Sequence, residues 1–454
     1  MKTTLLLTIA LLASPAHAAD RLDAADRLAQ QIDARVRQYA EAGLFSGVVL
    51  VAHGDRILYE KAFGLADRTF DVPNTITTKF HIASVSKPIT AAAVLLLADR
   101  GKLELQWPVS RILPEFPNGD RITIEEVLTH YSGLDDTSSN PDFEQWSRFP
   151  QTPASLVERL AKLPLRSEPN QEYRYSNANY HLLSLIIEKV SGQPYGEFLR
   201  DAIFRPLGMT SSGHHGNERD IIPRLANGYL PKAAAEFEKP SGFDWTSKTG
   251  NGSLYTTAGD LLRFHRALQH GTLLKPETAR ASLGFDRKDR TVGMFWFPGT
   301  YEGHRFVSMS GSSPGYKAYL DRFVDDDAVT IVLSNLYLAS PQPIARDIAA
   351  LMYAKEPKLE PVPAPVARTA AELDRFVGTY QFPPDFYAPN QVARVERRGD
   401  SLAIVYTTGS RVIPLIATKE GFFDRSYWSF VRFEDGKLIY RNGKSEFAAP
   451  RMKD

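Results

Sequence analysis

Two short stretches carry side chains able to act on a substrate. Ser84-Val85-Ser86-Lys87 sets a hydroxyl and an amine three residues apart, ahead of the apolar run PITAAAVLLLADRG. Positions i and i+3 share a helix face, so the Lys87 amine comes within reach of the Ser84 hydroxyl. The helix is apolar on nearly all sides and is therefore buried, with Gly101 as its stop. Burial disfavours the ammonium, and a neutral lysine can accept a proton from serine. The bland alternative is a capping serine beside a surface lysine; chance supplies roughly one or two such spacings in a chain this long. Tyr175-Ser176-Asn177 stands just before a periodic helix that Asn177 would cap. Tyr175 then projects from the preceding loop, where packing alone would account for it.

Positioning these groups takes a scaffold, and the pattern of the chain describes one. An Ala-rich amphipathic helix (about 21–42) leads into SGVVLVAHGDRILYEKAFGLAD, two strands around a His-Gly-Asp turn. Helices and loops dominate to about residue 290. Two more strands bracket an acidic turn at Asp325-Asp326-Asp327, and a helix over about 341–354 follows. Strands at both ends with helices between them predict an α+β fold, an antiparallel sheet covered by helices. The segment EPKLEPVPAPVART is a Pro-rich, semi-rigid linker (356–370). From 371 to 454 the runs LAIVYTT, RVIPLIA, YWSFVRF and KLIYR alternate between turn residues, which predicts a small all-β barrel.

Composition narrows the setting. The chain has 454 residues and a net charge of +1, which argues against nucleic acid or an anionic membrane as the main partner. The start MKTTLLLTIALLASPAHAAD has a basic residue, a short apolar run and Ala16-His17-Ala18 as a small-x-small site. It reads as a signal peptide over 1–18, too short to span a bilayer, with a periplasmic or secreted mature chain. There is no cysteine, hence no disulfide and no thiolate metal site. The ten histidines show no metal-binding spacing, so neither metal nor cofactor is expected. His214-His215 lies in a polar, Gly-containing stretch and is expected in a solvated loop.

Taken together, the SxxK and YSN stretches, ITIEEVLTHYSGL (122–134), YSNANYHLLSLIIEKVSGQPYGEFLRDAIFRPLGM (175–209) and GSLYTTAGDLLRF (252–264) resemble one family. It is the serine hydrolases of the class C β-lactamase, D-Ala-D-Ala carboxypeptidase and family VIII esterase group. The resemblance covers about residues 40–350 and implies a hydrolase domain over 19–355, with the site between the sheet and a helical subdomain. It implies Ser84 as nucleophile, Lys87 as its activator, Tyr175 as proton relay and Asn177 as a hydrogen-bonding partner of the acyl part. It also implies an oxyanion hole from the backbone N–H groups of Ser84 and Ser312. The 371–454 segment resembles the lipocalin-like domain often appended to these enzymes.

The family's third motif is Lys-Thr-Gly or His-Ser/Thr-Gly on the strand facing the serine. A literal Lys248-Thr249-Gly250 exists, but no alternating strand pattern precedes it. HRFVSMSGSSPGYKAYLDRFV has the required shape of a strand that passes and returns. The third motif is therefore Met309-Ser310-Gly311, followed by Ser312, with methionine where the resemblance implies a cation for a substrate carboxylate. A methionine offers no charge, which points to neutral esters or amides. The alternatives are a weak carboxypeptidase or β-lactamase, and a penicillin-recognising protein without turnover. Lys248 is one substitute cation. His304, at odd spacing on the strand, faces away from Met309 and is a poorer one. The expected partner is a small-molecule or peptide substrate.

Overall fold

The computed structural model describes residues 15–232, 236–286, 292–338, 340–387, 390–407, 412–443 and 445–452. Most of the leader-like stretch, residues 1–14, lies outside the described residues.

Helix α1 (Pro15–Glu41) leads into the hairpin β1 (Gly47–His53) and β2 (Arg56–Phe63). The buried helix α2 (Ser86–Asp99) follows, then α3 (Ile124–Thr129) and α4 (Asn177–Ser191). Strands β3 (Phe297–Tyr301), β4 (His304–Ser313), β5 (Tyr316–Phe323) and β6 (Ala328–Ser334) come next, and α5 (Pro341–Tyr353) closes this part. The main sheet runs β3-β4-β5-β6-β1-β2, antiparallel throughout. The predicted hairpin, the acidic turn between β5 and β6 and the last helix are all present. Strand β3 was not foreseen: FPGTY carries Pro and Gly, which suit an edge strand and hide it from pattern reading.

The sheet is covered on both faces, and β1 records this in its sequence. Val48, Leu50 and Ala52 join the core shared with α2 and α4, whereas Val49 and Val51 join the core shared with α1 and α5. An unbroken apolar run is what a strand buried on both sides requires. Twelve of the fourteen residues of α2 are buried, Lys87 among them. Gly101, with φ of 67°, follows the helix as expected.

After residue 370, eight strands from Gly378–Gln381 to Ser445–Pro450 form a nearly closed antiparallel barrel around its own core. A bridge between Tyr380 and Arg451 links its first and last strands. Four of the eight strands were not read from sequence; Val392–Arg398, for example, is VARVERR, with charges on its outer face. The barrel adds Ile416 and Phe423 to the core beneath α1 and α5. Next to them Asp347 accepts from Arg35 (2.7 Å) and from the Tyr39 hydroxyl (2.6 Å), while Arg35 also donates to the Glu360 carbonyl in the linker.

The His214-His215 expectation fails. His214 pairs with Leu254 on a short strand, and His215 is buried, stacked on His81 (ring centroids 5.2 Å) with its Nδ1 3.2 Å from His81 Nε2. The stretch is polar, but its partners are distant in sequence, so composition could not show the burial.

Candidate active site

Ser84 sits not in the first turn of α2 but in the 3-10 turn Ala83–Val85 that feeds it. In such a turn residues i and i+3 eclipse, which aims Lys87 at Ser84 more directly than an α-helix would. Ala83 adopts φ of 47°, a conformation that non-glycine residues rarely take and that strained functional sites favour.

Lys87 Nζ has three neighbours: Ser84 Oγ at 3.0 Å, Asn177 Oδ1 at 2.9 Å and the Asn251 carbonyl at 3.1 Å. The Tyr175 hydroxyl lies 2.8 Å from Ser84 Oγ. Asn177 Oδ1 and the Asn251 carbonyl can only accept. A neutral amine satisfies all three contacts, giving its two N–H groups to those acceptors and its lone pair to the Ser84 hydrogen. Ser84 Oγ is then free to accept from Tyr175. Burial favours this state. It holds Lys87 well below the usual lysine range, reinforced by the charge of Lys248 and opposed by that of Asp136. Burial pushes Tyr175 the other way, well above the usual phenol range, against the lowering effect of its bond to Ser84.

The cap of α4 corrects one expectation. Ser176, not Asn177, is the N-cap, its hydroxyl accepting from the Ala178 N–H. Asn177 is the first helical residue, which turns its side chain toward Lys87. Asp136 fixes that side chain: its Oδ2 accepts from the Asn177 backbone N–H (2.6 Å) and from Asn177 Nδ2 (3.1 Å). Asp136 stays ionised although burial opposes it, because Asn177 and Ser138 donate to it. His130, in a left-handed conformation at the end of α3, stacks on Tyr175 (4.6 Å) and accepts from the Ser176 N–H. Burial lowers His130 to about 3, so it is a neutral wall.

On the opposite side β4 runs past the serine. Strand β3 pairs with β4 only over residues 304–308, which leaves 309–313 without a strand neighbour on that edge. A side chain at Gly311 would begin 2.2 Å from the Ile82 carbonyl, so only glycine lets β4 come this close to the Ser84 turn. Met309 is 3% exposed. It shares a niche of about 10 Å³ with Lys87, His130 and Tyr180. Ser310 and Ser312 alternate to the other face, exposed, and offer the cleft edge their backbone groups.

Lys248-Thr249-Gly250 is no strand. Lys248 ends a 3-10 turn (Trp245–Lys248) and Gly250 has φ of 84°. The loop serves the site through its backbone instead. His181 holds it by Nδ1 to the Thr249 carbonyl (2.7 Å) and Nε2 to Asn251 Nδ2 (2.9 Å), which sets the Asn251 carbonyl against Lys87. The Lys248 ammonium lies over the rings of Phe143 and Phe243, 5.6 Å from each, with no carboxylate at ion-pair distance among the described residues. Burial lowers its pKa, and Asp136 raises it. His304 is remote from this: it binds Asp326 (2.9 Å) and stacks on Tyr353.

Sequence reasoning brought Ser84, Lys87, Tyr175 and Asn177 together and missed Asp136, Asn251, His130 and His181. His130 and His181 each lay within a quoted segment without a role attached. Nothing in residue type or spacing ties Asp136 to Asn177, 41 residues on. Among the described residues no cluster of three or more His, Cys, Asp or Glu is placed to hold a metal, and no helix is long and apolar enough to cross a membrane.

A family model described as Beta-lactamase matches residues 28–355. The chain is 30% identical over 305 residues to the putative penicillin-binding protein PbpX of Bacillus subtilis, covering 66% of this chain and 73% of that one. It is 34% identical over 291 residues to esterase EstB of Burkholderia gladioli, covering 57% and 74%. Its fold is similar to that of the octameric penicillin-binding protein homologue from Pyrococcus abyssi, with a TM-score of 0.63 at 22% identity over 92% of this chain and 99% of the other. With the SxxK turn, the facing strand and the match over most of its length, this chain belongs to the Beta-lactamase family of serine hydrolases.

Proposed function

We propose that the chain hydrolyses neutral esters or amides through an acyl-enzyme on Ser84. The observation that carries this reading is the buried, uncharged Met309 beside Lys87, with almost no free space around it. Ser84 Oγ attacks the substrate carbonyl and its proton passes to neutral Lys87. The oxyanion that forms is held by the backbone N–H groups of Ser84 and Ser312, each worth roughly 3 kcal/mol. Tyr175 donates its proton to the departing alcohol or amine, and the Lys87 ammonium, which holds the proton taken from Ser84, gives one back to Tyr175. A water then attacks the acyl carbonyl, and the same groups return the proton to Ser84 Oγ. Asn177, held by Asp136, contacts the acyl part; Ser310 and Gly311 line the strand edge on which the substrate lies. The site needs no metal or cofactor for this sequence of steps.

A carboxylate left without a cation in a buried site costs about 1–3 kcal/mol, which disfavours β-lactams and D-Ala-D-Ala peptides. One observation favours that second reading nonetheless: among the described residues Lys248 Nζ lacks a carboxylate partner, and it faces aromatic rings near the site. The leader-like stretch supports export, and the composition break after 355 supports separate hydrolase and barrel domains joined by the 356–370 linker. The test is purified residues 20–454 against p-nitrophenyl butyrate, nitrocefin and a D-Ala-D-Ala peptide, with Ser84→Ala as control. Ester turnover alone is expected. Turnover of the anionic substrates that Lys248→Ala abolishes would replace the neutral-substrate reading with the second one.

A further inference from the structure

A cavity of about 630 Å³ lies on the face of the main sheet turned away from Ser84, where β4, β5, α5, the linker and the barrel meet. Small-molecule sites have volumes of roughly 300–1,000 Å³ and favour domain junctions. Its sheet wall is set by the alternation of β5: Leu320 packs with Met309 in the core on the serine side, so Tyr319, Asp321 and Phe323 point the other way. Aromatic rings line it, among them Tyr39, Tyr301, Phe306, Trp428 and Phe430.

Asp321 is the odd member. It is 4% exposed, and its Oδ1 has no hydrogen-bond partner. Tyr319 and Arg346 lie near enough to favour the charged form of its carboxyl, against burial. Asp347, the neighbouring acid, already accepts from Arg35 and Tyr39 through Oδ2. Burial raises the Asp321 carboxyl to about 7. A buried acceptor left unpaired costs about 1–3 kcal/mol, and nothing in the catalytic machinery uses this one. Arg346 and Arg441, both exposed, occupy the outer part of the lining.

We propose that this cavity is a second ligand site, for a small molecule with an aromatic or apolar body and a protonated amine held by Asp321. The amine N–H donates to the Asp321 carboxyl on the cavity wall, and the surrounding rings stabilise the cation. The site does not depend on the hydrolytic reading, since its readout is binding.

Full-length protein is titrated with phenethylamine by calorimetry, before and after Ser84 is blocked with a fluorophosphonate. Saturable one-to-one binding is expected in both states. Asp321→Asn, which keeps the shape and removes the charge, is expected to weaken it at least ~10-fold. Ala350→Phe, which fills the cavity without touching the carboxyl, should abolish binding while ester hydrolysis by the same sample reports an intact fold. Phenylpropionate and phenylethanol should bind at least ~10-fold more weakly than the amine. No saturable amine binding, binding indifferent to Asp321→Asn or Ala350→Phe, loss on blocking Ser84, or equal affinity for phenylpropionate would each overturn the proposal.

Discussion

Replacing Lys87 by methionine tests the central claim without any knowledge of the substrate. Lys87 is 1% exposed and its pKa lies well below the usual lysine range, chiefly through burial. In the unfolded chain the same amine titrates near 10.4. Between the folded pKa and that value the unfolded state binds more protons, so the stability of the native enzyme rises with pH at ~1.4 kcal/mol per unit. Below the folded pKa both states are protonated and the penalty is constant; above the unfolded value it is gone. Lys87→Met has no such group. The difference in unfolding free energy, wild type minus variant, should therefore climb at that slope across the window and be flat on either side.

The slope is the quantity to read, because the difference at any single pH has no fixed sign. The variant escapes the desolvation penalty, several kcal/mol for an ion taken fully out of water. It also leaves Asn177 Oδ1 and the Asn251 carbonyl without their Lys87 donor, at about 1–3 kcal/mol each. These oppose each other; the first fades with pH along the titration and the second does not, so the slope reports the amine alone. Urea unfolding of both proteins from about pH 6 to about pH 10 gives the curve. The acid limb of kcat/KM for a p-nitrophenyl ester should break where the slope begins, since both report the same amine in the free enzyme. A difference curve that stays flat over that range would mean Lys87 is an ordinary ammonium, and the base assignment would fall.

Three other expectations are simpler to state. Met309→His should raise kcat/KM for nitrocefin or a D-Ala-D-Ala peptide at least ~10-fold relative to p-nitrophenyl butyrate, because about 1.4 kcal/mol of carboxylate binding is the tenfold unit; an unchanged ratio would detach selectivity from this position. Gly311→Ala, whose new carbon would start 2.2 Å from the Ile82 carbonyl, should push β4 off the serine turn and cost roughly 100-fold in kcat; near-normal turnover would show that the close approach is dispensable. Asp347→Ala strands buried Arg35 at the junction with the barrel and should lower stability by ~3–5 kcal/mol in urea melts, while ester hydrolysis at low temperature stays close to wild type.

The parts of the site legible in sequence are those that one local segment encodes. The i+3 spacing of Ser84 and Lys87, the apolar helix that buries the amine, and the passing strand that identifies Met309 can each be read from a few adjacent residues. The parts that were not legible join segments far apart or use the backbone. Asp136 meets Asn177 across a fold, and the Asn251 carbonyl has no residue-type signature because every residue carries one. The literal Lys-Thr-Gly misleads for this reason: its loop serves Lys87 through a main-chain oxygen and through His181. The fold follows the same division. The hairpin and the two strands flanking the acidic turn alternate cleanly, whereas β3 and half the barrel strands carry Pro, Gly or outward charges that blur the pattern.

Losing the cation at position 309 has a consequence for Tyr175 as well as for substrate choice. Nothing on β4 offsets the burial of the phenol, and the charge of Asp136 and the nearby Tyr173 push its pKa higher still. In the proposed mechanism Tyr175 therefore remains a phenol and acts as a donor, while base duty falls to Lys87 alone. Two groups driven apart in this way mark an acid and a base. The division predicts how Tyr175→Phe should behave. p-Nitrophenolate departs without a proton, so that ester should lose little. An anilide or peptide amide, whose nitrogen must be protonated to leave, should lose ~10²–10⁴-fold in kcat/KM. Folding is safeguarded because the ring that stacks on His130 is kept. Equal losses on ester and amide would mean the hydroxyl serves the attack rather than the departure, and Tyr175 would have to share the base role with Lys87.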